Sequence, residues 1–275
     1  MSLSPKLPFF VSIPHSGEKV PSEVSWLLGL KEETLMRDVD RYVDVLYKPI
    51  IEKLDLTAIK TQWHRYVVDL NRKPDEFDQD AVMGASQKSG CQTKEIHWSQ
   101  TTQKEVLIKT PMSIELHQQL VNQYYEPLHN SLKNIKKKIM GSFGVVYHLD
   151  LHSMPSKGTE LHPDPGESRA EIVVSDQHGT SANSDFKDRV MEAFQKAGFQ
   201  VGYNWPYIGG GITKTYGEPE KGIHTVQIEL NRALYMNEET KKLSEEKLEK
   251  IQAQLGSAIE EIYHWVEKGS RESGD

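Results

Sequence analysis

Four short polar motifs follow one another along the chain: His15-x-x-Glu18, Asn71-Arg72, His152-Ser153 and Glu229. Each stands inside, at the end of, or just after an apolar run that reads as a strand. A histidine and a carboxylate three residues apart in a turn can both reach one zinc ion, and a histidine on another strand supplies a further ligand. The planar guanidinium of Arg72 can hold a carboxylate through two parallel hydrogen bonds, and Asn71 adds an amide donor. Glu229, a carboxylate inside an apolar strand, is placed to act as a general base on water. Any one of these has a bland explanation as a strand terminus or a core hydrogen bond. Their order is what hydrolysis of an amide beside a free carboxylate requires.

The strand Val145 to Leu151 carries His148 and Asp150 on the same face as His152, because strand side chains alternate. Same-face neighbours lie ~6.6 Å apart, so holding one ion with all three would need strain. His152 therefore reads as the ligand, Asp150 as its support, and His148 as a hydrogen-bonded core residue. Asp40 and Asp44 stand four apart in a helical pattern. They read either as a further source of a metal carboxylate or as an ion-pair ladder with Arg37 and Arg41. Gly209-Gly210-Gly211 through Gly217 lacks the spacing of a phosphate loop. It reads as a lid with glycine hinges that swings Lys214 and Tyr216 inward.

The elements that must position these groups alternate between strand and helix. Strands are expected at Pro8 to Ile13, Leu56 to Gln62, Tyr66 to Leu70, Val145 to Leu151, Glu171 to Ser175, Gln200 to Tyr203 and Thr225 to Leu230. Helical periodicity spans Lys31 to Leu54, Ser113 to Met140 with a kink near Tyr125 ahead of Pro127, Ser184 to Lys196, and Glu238 to Glu267. The polar stretch Asp75 to Thr110 is too long for an ordinary loop and reads as an excursion over the active-site side. This alternation predicts a single domain over 1–275, a three-layer α/β/α sandwich with a mixed, largely parallel central sheet.

Composition narrows the classes of function. The 275 residues carry a formal net charge of −7 with acidic and basic residues well mixed, which argues against nucleic acid. Lys136-Lys137-Lys138 ends a helical segment, where it complements the helix dipole. One cysteine, Cys91, lies in a loop composition, which excludes an internal disulfide and argues against a catalytic thiol. No window approaches the ~18 apolar residues of a membrane span, and no export signal is apparent. The expectation is a soluble cytoplasmic protein with a small-molecule substrate.

Five segments carry a resemblance. Val11-Ser12-Ile13-Pro14-His15-Ser16-Gly17, Asp40-Arg41-Tyr42-Val43-Asp44, Arg65 through Arg72, His148 through Pro155 and Glu229 through Met236 resemble the N-formylglutamate amidohydrolase family, over about Pro8 to Met236. That family belongs to the larger group of zinc carboxypeptidases and aspartoacylases. The resemblance implies zinc held by His15, His152 and one carboxylate, Glu18 first and Asp40 in contention. It implies Arg65 polarising the scissile carbonyl, Asn71 and Arg72 binding the substrate carboxylate, and Glu229 as base. Lys214 falls where relatives often carry an arginine in the lid. The implied reaction is zinc-dependent cleavage of N-formyl-L-glutamate to formate and glutamate. Two alternatives stand beside it: a zinc carboxypeptidase or amidase acting on a peptide or cell-wall fragment, and a metal-free carboxylate-binding protein.

Overall fold

Alternating apolar and polar residues decide which way each central strand faces. In β3 (Val146–Met154) Leu149 and Leu151 enter one core, while His148, Asp150 and His152 take the other side. In β6 (Ile223–Asn231) Val226, Ile228 and Leu230 enter that same core, and Thr225, Gln227 and Glu229 take the polar side. The two strands run parallel in a register that sets Asp150 beside Gln227 and His152 beside Glu229. The polar residues thus form a patch shared by two neighbouring strands.

The structure, a computed structural model, describes residues 5–90 and 95–272. Cys91 lies outside them. β1 (Phe9–Ile13), β2 (Thr57–Lys60), β4 (Ile172–Ser175) and β5 (Val201–Tyr203) complete a six-stranded sheet in the order β2-β1-β3-β6-β4-β5. β4 is antiparallel to β6, and every other pair is parallel. The apolar face is covered by α2 (Val43–Lys53), α5 (Ser184–Lys196) and α7 (Glu245–Glu272), which bury residues such as Leu46, Phe186 and Leu255. Each such side chain contributes roughly 1.5–3 kcal/mol of burial. The other face is covered by α3 (Ile114–Leu120), α4 (Glu126–Phe143) and irregular chain. There Phe10, Val146 and Ile223 near the strand starts pack against Leu128, Leu132 and Ile139. That face is apolar at the strand starts and polar toward the C-terminal ends, where parallel sheets place ligands. The three layers and the mixed, largely parallel sheet are those expected.

Several elements depart from expectation. Tyr66 to Leu70 forms no strand, although Tyr66, Val67, Val68, Asp69 and Leu70 are all buried. Its backbone instead pairs with a turn and with the irregular segment that follows, Val67 N–H on His64 O and Asp69 N–H on Ile96 O. The Lys31–Leu54 helix is broken in two. α1 (Glu32–Leu35) ends at Met36, and α2 starts only after Tyr42, whose φ of 70° is left-handed. Asp38 and Asp40 sit in the break and are buried, so Asp40 and Asp44 do not share a helix face. The expected kink is a π-helical turn over Val121–Tyr125, a wider winding that absorbs the misfit of Pro127. Asn183 caps α5, which has the expected span, by accepting Phe186 N–H at 3.0 Å. α7 starts seven residues late because β7 (Met236–Asn237) and β8 (Lys242–Leu243) form a small hairpin. Among the described residues, no helix is long and apolar enough to cross a membrane.

Candidate active site

His15 leaves the end of β1, Asp40 occupies the break between α1 and α2, and His152 stands near the end of β3. These three buried residues bring ligand-type atoms within 4.8 Å of one another. The Nδ1 atoms of His152 and His15 face one oxygen, Asp40 Oδ2, at 2.9 Å and 3.6 Å. The opposite ring nitrogens are held by other buried carboxylates: His15 Nε2 meets Asp69 Oδ1 at 2.7 Å, and His152 Nε2 meets Asp150 Oδ2 at 2.8 Å. A carboxylate on the far nitrogen keeps the proton there and leaves the near lone pair for a metal. Two imidazole nitrogens and one carboxylate oxygen, each braced from behind, suit a divalent ion such as zinc.

The supports extend further than the sequence suggested. Ser12 Oγ donates to Asp150 Oδ1 at 2.5 Å and lies 2.7 Å from His148 Nε2, so β1 fixes the orientation of Asp150. Asp69 accepts from Arg65 Nη2 at 2.8 Å and from Trp98 Nε1 at 3.0 Å. Asp40 Oδ1, the oxygen turned from His152, accepts from Arg232 Nη2 at 2.9 Å. Burial opposes ionisation of Asp40, but hydrogen bonds from His15 and His152 and the Arg232 guanidinium hold its carboxyl well below the usual range. Burial disfavours the imidazolium of His152, yet Asp150 and Asp40 on its two nitrogens push it well above the ordinary histidine value. The proton His152 keeps between two carboxylates is a positive charge that a bound cation would replace.

Asp150 makes a checkable case. An asparagine in its place would offer one acceptor oxygen where the carboxylate serves both Ser12 and His152. Asp150→Asn is expected to weaken metal affinity roughly 10–100-fold. Competition against a calibrated chelator measures it, and unchanged affinity would remove Asp150 as the group that orients His152.

The triad opens into a cavity of 290 Å³ that is also lined by Arg65, Asn71, Arg72, Gly210, Gln227 and Glu229. This is the lower edge of the ~300–1,000 Å³ typical of small-molecule sites. Glu229 is 6% exposed and accepts from Gln227 Nε2 at 2.8 Å. Burial, reinforced by Asp40, pushes its carboxyl up to about 7 against the pull of His152, Arg232 and Arg65. Arg65 donates to Asp38 O at 2.7 Å and to Asp69, with its guanidinium 4.5 Å from the Trp98 ring. Arg72 donates to Asn71 O at 3.0 Å, and its Nε is buried without a partner among the described residues. Asn71 turns its carbonyl oxygen to Gly211 N and its side-chain oxygen to Ile212 N, which ties the glycine segment against the cavity. A Cβ at Gly210 would stand 2.0 Å from Asn71 Nδ2, so no side chain fits there.

Three expected site residues lie elsewhere. Glu18 is captured by Arg41, with Nε on Oε1 at 2.8 Å, and stays partly exposed; Asp40 faces the histidines in its place. Tyr216 is buried away from the cavity, its hydroxyl 2.7 Å from His129 Nδ1. Lys214 is exposed and lines no part of the cavity. The Gly209–Gly217 segment is no free lid, because α6 (Gly211–Tyr216) is docked through Asn71 and His129. The ion-pair ladder does not form among the described residues: Arg37 pairs with Glu105, and Arg41 with Glu18 and Glu32. Asp69 and Arg232 lie in the motifs, and Gln227 in the strand Thr225 to Leu230, without an assigned role. For Asp69 and Gln227 the signal is polarity inside an apolar run, which demands partners.

A family model described as N-formylglutamate amidohydrolase matches residues 7–236. The N-formylglutamate deformylase of Pseudomonas putida is 28% identical over 235 residues, covering 85% of this chain and 83% of that protein. That of Pseudomonas aeruginosa is 26% identical over 236 residues, covering 85% and 84%. The crystal structure of N-formylglutamate amidohydrolase from Ralstonia eutropha JMP134 is similar with a TM-score of 0.85 at 26% identity, covering 97% of this chain and 100% of that one. A gene product of Agrobacterium tumefaciens shares the fold, with a TM-score of 0.69 at 16% identity over 96% and 93% of the two chains. On a match that spans most of its length, this chain belongs to the N-formylglutamate amidohydrolase family.

Proposed function

We propose that the chain hydrolyses N-formyl-L-glutamate to formate and glutamate, with zinc held by His15, Asp40 and His152. The observation that carries this reading is the convergence of both imidazole Nδ1 atoms on Asp40, in one cavity with Glu229 and Arg72. The two Pseudomonas relatives, named for deformylation of N-formylglutamate, support the choice of acyl amino acid. Zinc bound there would supply Lewis acidity and lower the pKa of a water toward ~7.

The chain's own groups do the rest. Arg72 binds the substrate carboxylate with the nitrogens it leaves unpaired. Arg65, held by Asp38 and Asp69 and stacked on Trp98, keeps N–H groups free for the charge that develops on the scissile carbonyl oxygen. Glu229, oriented by Gln227, takes a proton from the attacking water and returns it to the leaving nitrogen. The small cavity favours an acyl amino acid over a long peptide.

Release of formate from N-formyl-L-glutamate by purified protein, with zinc counted and a chelator added in one arm, tests the reading. Chelator-sensitive release with about one zinc per chain supports it. Zinc without formate release moves the search to other amides, and no zinc uptake removes the metal. Within the same assay Arg72→Ala is expected to raise KM about 10–100-fold with little change in kcat, since its charge-assisted contact already forms in the ground state. An unchanged KM would take Arg72 out of the substrate site.

A further inference from the structure

A second cavity, of 640 Å³, adjoins the catalytic one. Thr102, Pro155 and Arg232 line both, so the two share a wall on the side of Asp40 that Arg232 holds. Arg72 lines only the catalytic cavity, which puts the carboxylate clamp outside this wall.

The second cavity is lined by a lysine whose ammonium makes no hydrogen bond or ion pair among the described residues. This residue, Lys241, is 7% exposed. Its backbone is fixed, for its carbonyl oxygen accepts Arg41 Nη1 at 2.8 Å and the Tyr42 hydroxyl at 3.3 Å. Its φ of 58° is left-handed, at the end of the β7–β8 hairpin, where glycine or asparagine is the easy choice. Lysine at such a position costs backbone strain, and the Arg41 and Tyr42 hydrogen bonds to its carbonyl hold it there. Arg37 lines the same cavity, with Nε on Glu105 and its terminal nitrogens unpaired among the described residues. Burial, with the Arg232 and Arg37 guanidiniums, pushes Lys241 down to about 8 against the pull of Asp38 and Glu238. Glu238, also on the wall, is occupied by the amide and hydroxyl of Ser156. An ammonium without a hydrogen-bond partner among the described residues, on a cavity wall beside the Arg37 guanidinium, suits an anion entering that cavity.

A formyl group ends at its carbonyl carbon and needs no space beyond the catalytic cavity. With the amino-acid carboxylate on Arg72, a longer acyl group would extend past the metal ligands toward the shared wall. We propose that the second cavity is an acyl-side subsite for an anionic acyl group, in which Lys241 pairs with a distal carboxylate. The chain would then also hydrolyse amides between glutamate and a dicarboxylic acid. This rests on the metal-hydrolase reading above. The chemistry balances without another reactant: water oxygen joins the acyl carbon, the C–N bond breaks, and the nitrogen takes the proton, giving a dicarboxylate and glutamate.

The test compares N-formyl-, N-acetyl- and N-succinyl-L-glutamate on the zinc-loaded enzyme and its Lys241→Met and Lys241→Arg variants. The succinyl amide is expected to be cleaved with a KM at least about tenfold below that of the acetyl amide. Lys241→Met should raise the succinyl KM about tenfold relative to the formyl KM, and Lys241→Arg should restore part of it. Cleavage of the formyl amide without the succinyl amide would overturn the subsite. So would a Lys241→Met effect equal on all three substrates, or free succinate inhibiting without competing with substrate. Failure on the formyl amide alone would instead count against the proposed substrate, so the two readings fail separately.

Discussion

Asp40→Asn is expected to abolish tight metal binding and to lower turnover by roughly a thousandfold or more, since Lewis-acid stabilisation is worth several kcal/mol at about 1.4 kcal/mol per decade. The substitution keeps the volume and removes the charge that both histidines face. Oδ2 is the common focus of His15 Nδ1 and His152 Nδ1, and Oδ1 is the partner of Arg232. Arg232 would remain 4% exposed, with Ser153 and the backbone carbonyls of Arg37, Asp38 and Ser153 as its acceptors. Breaking one side of a buried ion pair costs about 3–5 kcal/mol, so a lower melting temperature should accompany the loss. Zinc content by mass spectrometry, read beside thermal unfolding, separates the effects. A folded Asp40→Asn protein that binds one zinc with unchanged affinity would remove Asp40 from the ligand set.

Glu229→Gln should do the reverse: leave metal content intact and cut kcat by roughly 10²–10⁴, the usual worth of a positioned general base. Glutamine keeps the shape and a hydrogen-bond link to Gln227, so substrate affinity should change little. The pH dependence follows from burial. In the metal-free protein Glu229 is pushed up to about 7, and a base must be ionised to act. Activity therefore falls as pH drops through the Glu229 pKa. A divalent cation nearby favours the carboxylate and moves that limb to lower pH. The acid limb should disappear in Glu229→Gln. If that variant retained wild-type turnover, or kept the limb, another group would be the base.

These expectations rest on residues that the sequence exposed to different degrees. His152 and Glu229 were legible because a polar group on an apolar strand has a defined face, and two such strands in register bring those faces together. His15 was legible from the strand end that precedes it. Asp40 was only half visible. Its helical spacing with Asp44 suggested a shared surface, whereas the chain breaks between α1 and α2 and turns Asp40 inward. Glu18 had the right spacing from His15 but also lay within reach of Arg41, a guanidinium 23 residues on that no local pattern announces. The glycine run looked like a hinge because glycine is permissive. Here it is used for close approach to Asn71.

The amino-acid sequence by itself determined the alternation of strand and helix, the layer order, the polar face of the central strands and the family motifs. These depend on short-range periodicity and side-chain chemistry, which are written locally. The tertiary structure alone decided which carboxylate meets the histidines, which groups brace them, and that Lys214 and Tyr216 stand apart from the cavity. Those outcomes depend on which partner reaches a buried charge first across long sequence separations. Burial then makes the pairing costly to leave unsatisfied.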